Sequence, residues 1–400
     1  MKKWGLVLVL VLAATPAWCA KKVTVAELKD TLATMHHDNK SDADVANALK
    51  QLELSEQLTR ETMNGLIADV PGPLTTEQIY VLEARSALLP PPPADVPTAA
   101  APDAAAQKAM LDKTADYVSK NYGQLPALSA TKTTIRFQDN VEAAAPSSGL
   151  HGSASDVSTG SGFVSPFQFI HYINSTDTQV VSDHGAEKLP PGKDKTPWGA
   201  NKMIALQEPD PSLATVFQEA QEAGDIKWLR WETVNGKQTA VLSFDVPKKK
   251  AHLAVNVCCF PDIEQTGTVR FSGQNGAGQP GGAAGAGGGA KGNFQTNTNW
   301  NDYKATVPYH GEFFIDPDSG IVVRMITEAE LKPSEVVHQV DERVDYGPVT
   351  VGGKMIVLPI KTIIATEVVP NGDSGAAGRF SVRRTLFTSE YKDYQPATGN

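Results

Sequence analysis

Cysteine is scarce: the 400 residues hold three. Cys19 sits near the start, and the other two, Cys258 and Cys259, are adjacent. Neighbouring Cα atoms lie about 3.8 Å apart, below the usual disulfide span of about 4.4–6.8 Å. The pair therefore offers either a strained vicinal disulfide in an oxidising compartment, or two small residues ending the strand 252–257 with one side chain on each face. Long apolar runs are scarce too. Beyond the first residues none approaches the ~18 residues of a membrane span, so no transmembrane segment is expected in the mature chain. Positive charge is thin, with 36 Lys+Arg against 45 Asp+Glu, a formal net charge of −9. Lys248-Lys249-Lys250 stands alone as a basic cluster, which argues against nucleic-acid binding.

Catalytic signatures are missing as well. The chain has no Gly-x-Ser-x-Gly elbow and no His-Glu-x-x-His. Ser129-Ala130-Thr131-Lys132 has the Ser-x-x-Lys spacing of penicillin-recognising acyltransferases, but that chemistry needs the Ser at a helix start. Here the tetrad lies between Pro126 and a strand, and Ser389-Glu390-Tyr391-Lys392 repeats the spacing without companions. Read as a calcium loop, Asp316-Pro317-Asp318-Ser319-Gly320 would put Ile321 where glycine belongs and Thr327 where the bidentate Glu belongs. His36-His37 cannot share a helix face as ligands at i and i+4 do. No catalytic residue, metal ligand or cofactor is assigned. A hydrolase whose site is assembled only by the fold is the enzymatic alternative.

What is present begins with a leader. Lys2-Lys3, the apolar run Leu6 to Ala14 and the exit Ala17-Trp18-Cys19-Ala20 read as a secretory signal peptide over 1–20, cut after Cys19 or Ala20. That implies an exported protein, periplasmic or extracellular. A lipid anchor on Cys19 is disfavoured by Pro16 and Trp18. The mature length of about 380 residues implies two domains. Residues 21–89 read as a small helical bundle: Thr24, Ser41 and Thr75 stand as caps before apolar residues at helical spacing. Residues 90–103, rich in Pro and Ala, read as a semi-rigid linker in polyproline II. The remainder, 104–400, reads as an antiparallel β domain that opens on a helix from about Ala104 to Tyr122. Pro211 to Ala223 reads as a second short helix. A Gly/Ala-dominated stretch, 271–292, is too poor in apolar side chains to offset its ordering entropy and reads as a disordered insert.

From Thr133 the period is two, and tight turns separate about ten strands, among them hairpins around Asn235-Gly236 and Gly352-Gly353. A further hairpin is read from Phe167 to Ser182. The strongest pairs Tyr309–Ile315 with Ile321–Ile326 around Asp316-Pro317-Asp318-Ser319-Gly320. If Ile315 faces Ile321, then Phe313 faces Val323 and Glu312 faces Arg324. Phe313, Val323 and Met325 then share one apolar face and are the candidate ligand-binding residues. The fold class expected is α+β: a small N-terminal helical bundle and a large curved antiparallel sheet, half-barrel-like, with one or two packed helices.

The runs Leu52 to Thr59 and Pro71-Gly72-Pro73, the Asp116-Tyr117-Val118 helix ending near Leu125-Pro126, and the strand Thr133 to Phe137 form a recurring pattern. So do Ile315-Asp316-Pro317 and Val344-Asp345-Tyr346-Gly347-Pro348 with Gly352-Gly353. On these the chain resembles a family of uncharacterised exported proteins of soil bacteria, which has no established activity and supplies no catalytic residues. At fold level it is similar to the lipoprotein-carrier half-barrels of the bacterial envelope, which hold acyl chains in an apolar concavity. The function expected is non-enzymatic binding of a lipid or other apolar ligand, or of an envelope protein partner, on the curved sheet. A scaffold acting through the helical module is a further alternative.

Overall fold

The computed structural model describes residues 21–68, 70–122, 125–139, 170–183, 185–188, 205–207, 212–261, 300–335, 337–368 and 383–397. The expected leader 1–20, with Cys19, and the insert 271–292 lie outside the described residues. Thr24 opens α1 (Val25–His37). Its hydroxyl accepts from the Glu27 N–H at 3.1 Å while Glu27 Oε2 accepts from the Thr24 N–H at 2.8 Å, a reciprocal capping box. Ser41 caps α2 (Asp42–Leu49) by accepting from the Asp44 N–H. α3 (Arg60–Ile67) starts at Thr59 and runs through Asn64-Gly65, which composition marks as a break. α4 (Pro73–Ser86) departs from the expected cap at Thr75. The free N–H groups of Leu74 and Thr75 donate instead to the Asp42 carboxylate, at 3.0 and 2.9 Å. α4 is thus capped by another helix. A Cβ on Gly72 would stand 2.6 Å from Asp42 Oδ2, so this close approach needs glycine. A parallel pair not anticipated from sequence, β1 (Lys21–Val23) with β2 (Leu52–Leu54), ties the start of the module to its middle.

The strands that follow are β3 (Leu128–Gln138), β4 (His171–Asp183), β5 (Ala186–Lys188), β6 (Ala205–Gln207), β7 (Lys227–Val234) and β8 (Lys237–Val246). Then come β9 (Ala254–Pro261), β10 (Trp300–Thr306), β11 (Tyr309–Ile315), β12 (Val322–Ala329), β13 (Val337–Val351), β14 (Lys354–Val368) and β15 (Arg383–Pro396). Ten of them form one open antiparallel sheet, in the order β5-β4-β3-β15-β14-β13-β12-β11-β8-β7. β10-β9-β6 make a separate three-stranded sheet. The α+β class, with a helical N-terminal module and a large antiparallel sheet, is that expected. The turns work as read: Asn235 and Gly236 both take positive φ, 51° and 75°, between β7 and β8. The expected hairpin within Phe167 to Ser182 is absent over the described part. His171–Asp183 is one strand that pairs with β3 along its length, because the long β3 offers a partner for each polar residue.

Two layers flank the sheet. On the inner face lie α5 (Ala104–Tyr122) and α6 (Leu213–Ala223), sealing the main apolar core. The tip of the β11–β12 hairpin reaches α5: Lys113 Nζ donates to the Asp318 carbonyl, and a Cβ on Gly320 (φ 75°) would meet the Lys113 and Thr114 backbone at 2.9 Å. On the outer face sits the helical module. Val81, Ala84 and Ala87 pack on Phe137, Ile363 and Leu386, and Glu83 pairs with Lys361 at 2.6 Å.

Candidate functional site

Phe313 is fully buried on the inner face, at 0% exposure, and Met325 beside it at 1%. α6 is why. Its apolar positions Leu213, Val216, Phe217 and Ala220 fall at i, i+3, i+4 and i+7, one helical stripe, all buried. Ser212 caps its start and Gly224, at φ 75°, ends it. The stripe lies on the sheet with Phe217 and Phe313 rings 5.3 Å apart; Phe313 stacks on Phe244 at 4.3 Å, and Phe244 meets Tyr309 edge-on at 6.0 Å. Gly311 makes the room: a Cβ there would stand 2.7 Å from the Phe244 ring and 2.0 Å from the Ile326 carbonyl oxygen.

One carboxylate enters this apolar layer. Glu219 on α6 is buried and accepts from the Tyr309 hydroxyl at 2.7 Å, from the His252 N–H at 3.3 Å, and faces His252 Nδ1 at 2.7 Å. Burial, and then the hydrogen bond to Glu219, push the Tyr309 hydroxyl above its ordinary pKa. Lys250 Nζ also donates to the Glu222 carbonyl. The loop before β9 thereby clamps the C-terminal half of α6.

Val323 does not join Phe313 and Met325. The register is Phe313 opposite Met325 and Phe314 opposite Arg324, then Ile315 opposite Val322. A bulge leaves Val323 the extra residue and turns it to the outer face, with Phe314, Val241 and Val234. The expected trio is therefore split across the sheet. The turn pairs Ile315 with Val322 and not with the expected Ile321, the bulge adds a second residue of offset, and together they undo the expected Glu312–Arg324 pair. Glu312 accepts from Arg230 at 2.9 Å through both its oxygens, while Arg324 donates to Asp345 at 2.6 Å. Arg343 completes the row, donating to Asp345 at 2.8 Å and to the Ala87 carbonyl at 3.0 Å. The Phe314 ring lies between the Arg230 and Arg324 guanidiniums, at 5.8 and 5.2 Å. Burial alone would raise Asp345, but Arg324 and Arg343 outweigh it and hold the carboxyl well below the usual range.

Cys258 and Cys259 lie on β9, where Cys258 is in register with Asp302 on β10 and Ala205 on β6; their side chains, and with them the disulfide expectation, lie outside the described residues. Among the described residues no group of three or more His, Cys, Asp or Glu is arranged to hold a metal, and no helix is long and apolar enough to cross a membrane. Ser129 and Lys132 of the Ser-x-x-Lys tetrad lie on β3, three apart on a strand and so on opposite faces, which removes the one-turn helical spacing that chemistry needs. The site residues missed from sequence are Phe217, Phe244, Glu219 and His252, whereas Tyr309 lies on the core side that strand alternation predicts. The helical stripe of α6 could have yielded Phe217; nothing local marks Glu219 as the partner of a tyrosine 90 residues away.

The arrangement defines an open antiparallel sheet whose inner face is covered by two helices and fixed at one point by a buried carboxylate. Comparison with known protein families, with curated proteins and with solved structures finds no match in any of the three.

Proposed function

We propose that this is an exported, non-enzymatic binding protein that takes an apolar ligand, such as the acyl chain of a lipid, onto the inner face of its sheet beneath α6. One observation carries the reading: a single helix of 11 residues covers the aromatic cluster of Phe244, Tyr309 and Phe313, tethered through one buried carboxylate. Displacing that helix exposes Phe313 and Met325 together, whereas Val323 takes no part. The leader-like start supports export. The resemblance to exported soil-bacterial proteins and, at fold level, to lipoprotein carriers points the same way.

The test is binding of a fluorescent acyl probe, with native mass spectrometry of protein purified from an exporting host. Glu219→Ala leaves the Tyr309 hydroxyl unpaired when α6 is docked, a cost of about 1–3 kcal/mol. It therefore raises the open fraction and the apparent probe affinity roughly tenfold. Absence of co-purified lipid, together with no probe binding by either form, would sink the reading.

A further inference from the structure

The linker 90–103 does not hang free between the two parts of the chain. It leaves the helical module at Ala87, whose carbonyl accepts from Arg343 on β13 and from the Gln57 side chain, each at 3.0 Å. The Pro90 carbonyl accepts from the Gln57 N–H at 2.8 Å. A single 3-10 turn, Pro93–Asp95, then rests beside β7, the last strand of the sheet. The chain turns over 87–89, where the Leu89 N–H donates to the Ser86 carbonyl at 3.0 Å, and Pro92, at φ −54° and ψ 144°, is extended just before the 3-10 turn.

At the far end it meets two tryptophans. β7 carries a bulge between Trp228 and Arg230. The bulge brings Trp228 and Trp231, three residues apart, to the same side of the edge strand with ring centroids 4.8 Å apart, edge-on, and leaves Leu229 45% exposed. Trp231 Nε1 donates to the Ala100 carbonyl at 2.9 Å. A polyproline ribbon makes no internal hydrogen bonds, so its carbonyls are free to accept; its conformation is nearly fixed before binding, and proline rings pack on aromatic faces. An indole N–H donating to a carbonyl within a Pro/Ala-rich segment, beside a second indole, satisfies those demands.

We propose that the Trp228–Trp231 edge of β7 is a recognition site for extended proline-containing segments, occupied in this structure by the stretch of the chain's own linker after the 3-10 turn, residues 96–102. Its ligand class is an extended peptide with a proline on either side of an accepting carbonyl, as Pro97 and Pro102 stand about Ala100. The intramolecular segment holds the site at the high effective concentration of a tether. A proline-rich partner therefore competes only when the linker is withdrawn.

The experiment uses the full chain with residues 91–102 replaced by an equal length of Gly and Ser, and a synthetic peptide of residues 90–103 followed by calorimetry and tryptophan fluorescence. Saturable binding to the replaced chain is expected, at least about tenfold tighter than to the native chain. It weakens roughly fivefold in Trp231→Phe on the replaced background, where the indole donor is lost, and vanishes for the peptide with every proline changed to alanine. No binding to the replaced chain, or binding indifferent to Trp231→Phe or to loss of the prolines, overturns the proposal. Should the replaced chain fail to fold, Trp231→Phe in the native chain supplies the reading. Proteolytic cleavage within 94–101 is then expected to speed up roughly fivefold, and an unchanged rate overturns the proposal equally.

Discussion

Among the described residues two ion pairs cross the interface between helical module and sheet: Arg60 with Glu390 at 2.6 Å, largely solvent-exposed, and a buried pair that can be broken cleanly. Glu83 on α4 and Lys361 on β14 meet at 2.6 Å, each side chain 9% exposed. Removing one partner leaves the other charge buried and uncompensated, a loss of about 3–5 kcal/mol, whereas replacing both by apolar groups of similar volume is neutral or stabilising. Glu83→Gln and Lys361→Met should therefore each destabilise by about 3–5 kcal/mol, and Glu83→Leu with Lys361→Met should fall within about 1 kcal/mol of the native chain. The tryptophans make the assay specific. Residues 21–89 contain none, so fluorescence in urea reports the β part while far-UV circular dichroism also reports the helices. With Val81, Ala84 and Ala87 packed on Phe137, Ile363 and Leu386, the two signals should coincide in the native chain. In either single variant they should separate, the helical signal being lost first. Single variants costing under about 0.5 kcal/mol, the range of a solvent-screened pair, would refute the claim that this interface is dry.

Asp341 should give the opposite sign to an ordinary carboxylate. Burial, reinforced by Glu328 opposite it on β12, pushes it up to about 6 against the hydrogen bond from Gln339. The folded state thus holds the proton longer than the unfolded one, so this stabilising contribution is complete below about pH 4 and lost as pH rises through about 6. Asp341→Asn should accordingly gain about 1–3 kcal/mol at pH 7 and nothing at pH 4, in urea titrations at both values; an equal effect at both would count against it. Gly311→Ala should cost about 3 kcal/mol or more in the same assay, since the added methyl meets the Ile326 carbonyl and the Phe244 ring together. A cost below about 1 kcal/mol would mean that β11 and β12 can part at little expense.

Local chemistry made much of the fold legible. Capping residues at Thr24 and Ser41, Asn235-Gly236, Asp316 to Gly320 and Gly352-Gly353 each act within a few residues of themselves, and each does what its type requires. Strand alternation likewise places Tyr309 and Phe313 on the core side. What escaped depends on residues distant in sequence. Thr75 looks like a cap, yet Asp42 does the capping from 33 residues away. The β11–β12 register departs from the expected one at the turn itself, where Ile315 pairs with Val322 and not Ile321, and by a second residue at the bulge that leaves Val323 unpaired. The linker's composition implies an extended ribbon, yet it holds the 3-10 turn Pro93–Asp95, and its landing on Trp231 joins residues 131 apart. The candidate site was half legible for the same reason: two of the three expected residues lie together, and the helix that covers them was foreseen without its target.

That same bulge separates the two faces in character. By admitting one extra residue it sends Arg324 toward Asp345 and leaves Glu312 to Arg230, which reaches from β7 across β8 to β11. Three guanidiniums (Arg230, Arg324, Arg343) then meet three carboxylates (Glu232, Glu312, Asp345), with Phe314 between two of the cations. The row is neutral and mutually satisfied, so it presents no net field to a charged ligand. It joins the module to the sheet through the Ala87 carbonyl. The charge in this row therefore serves to hold the outer layer in place, and the two recognition surfaces proposed above, the aromatic layer beneath α6 and the paired tryptophans at the β7 edge, lie outside it.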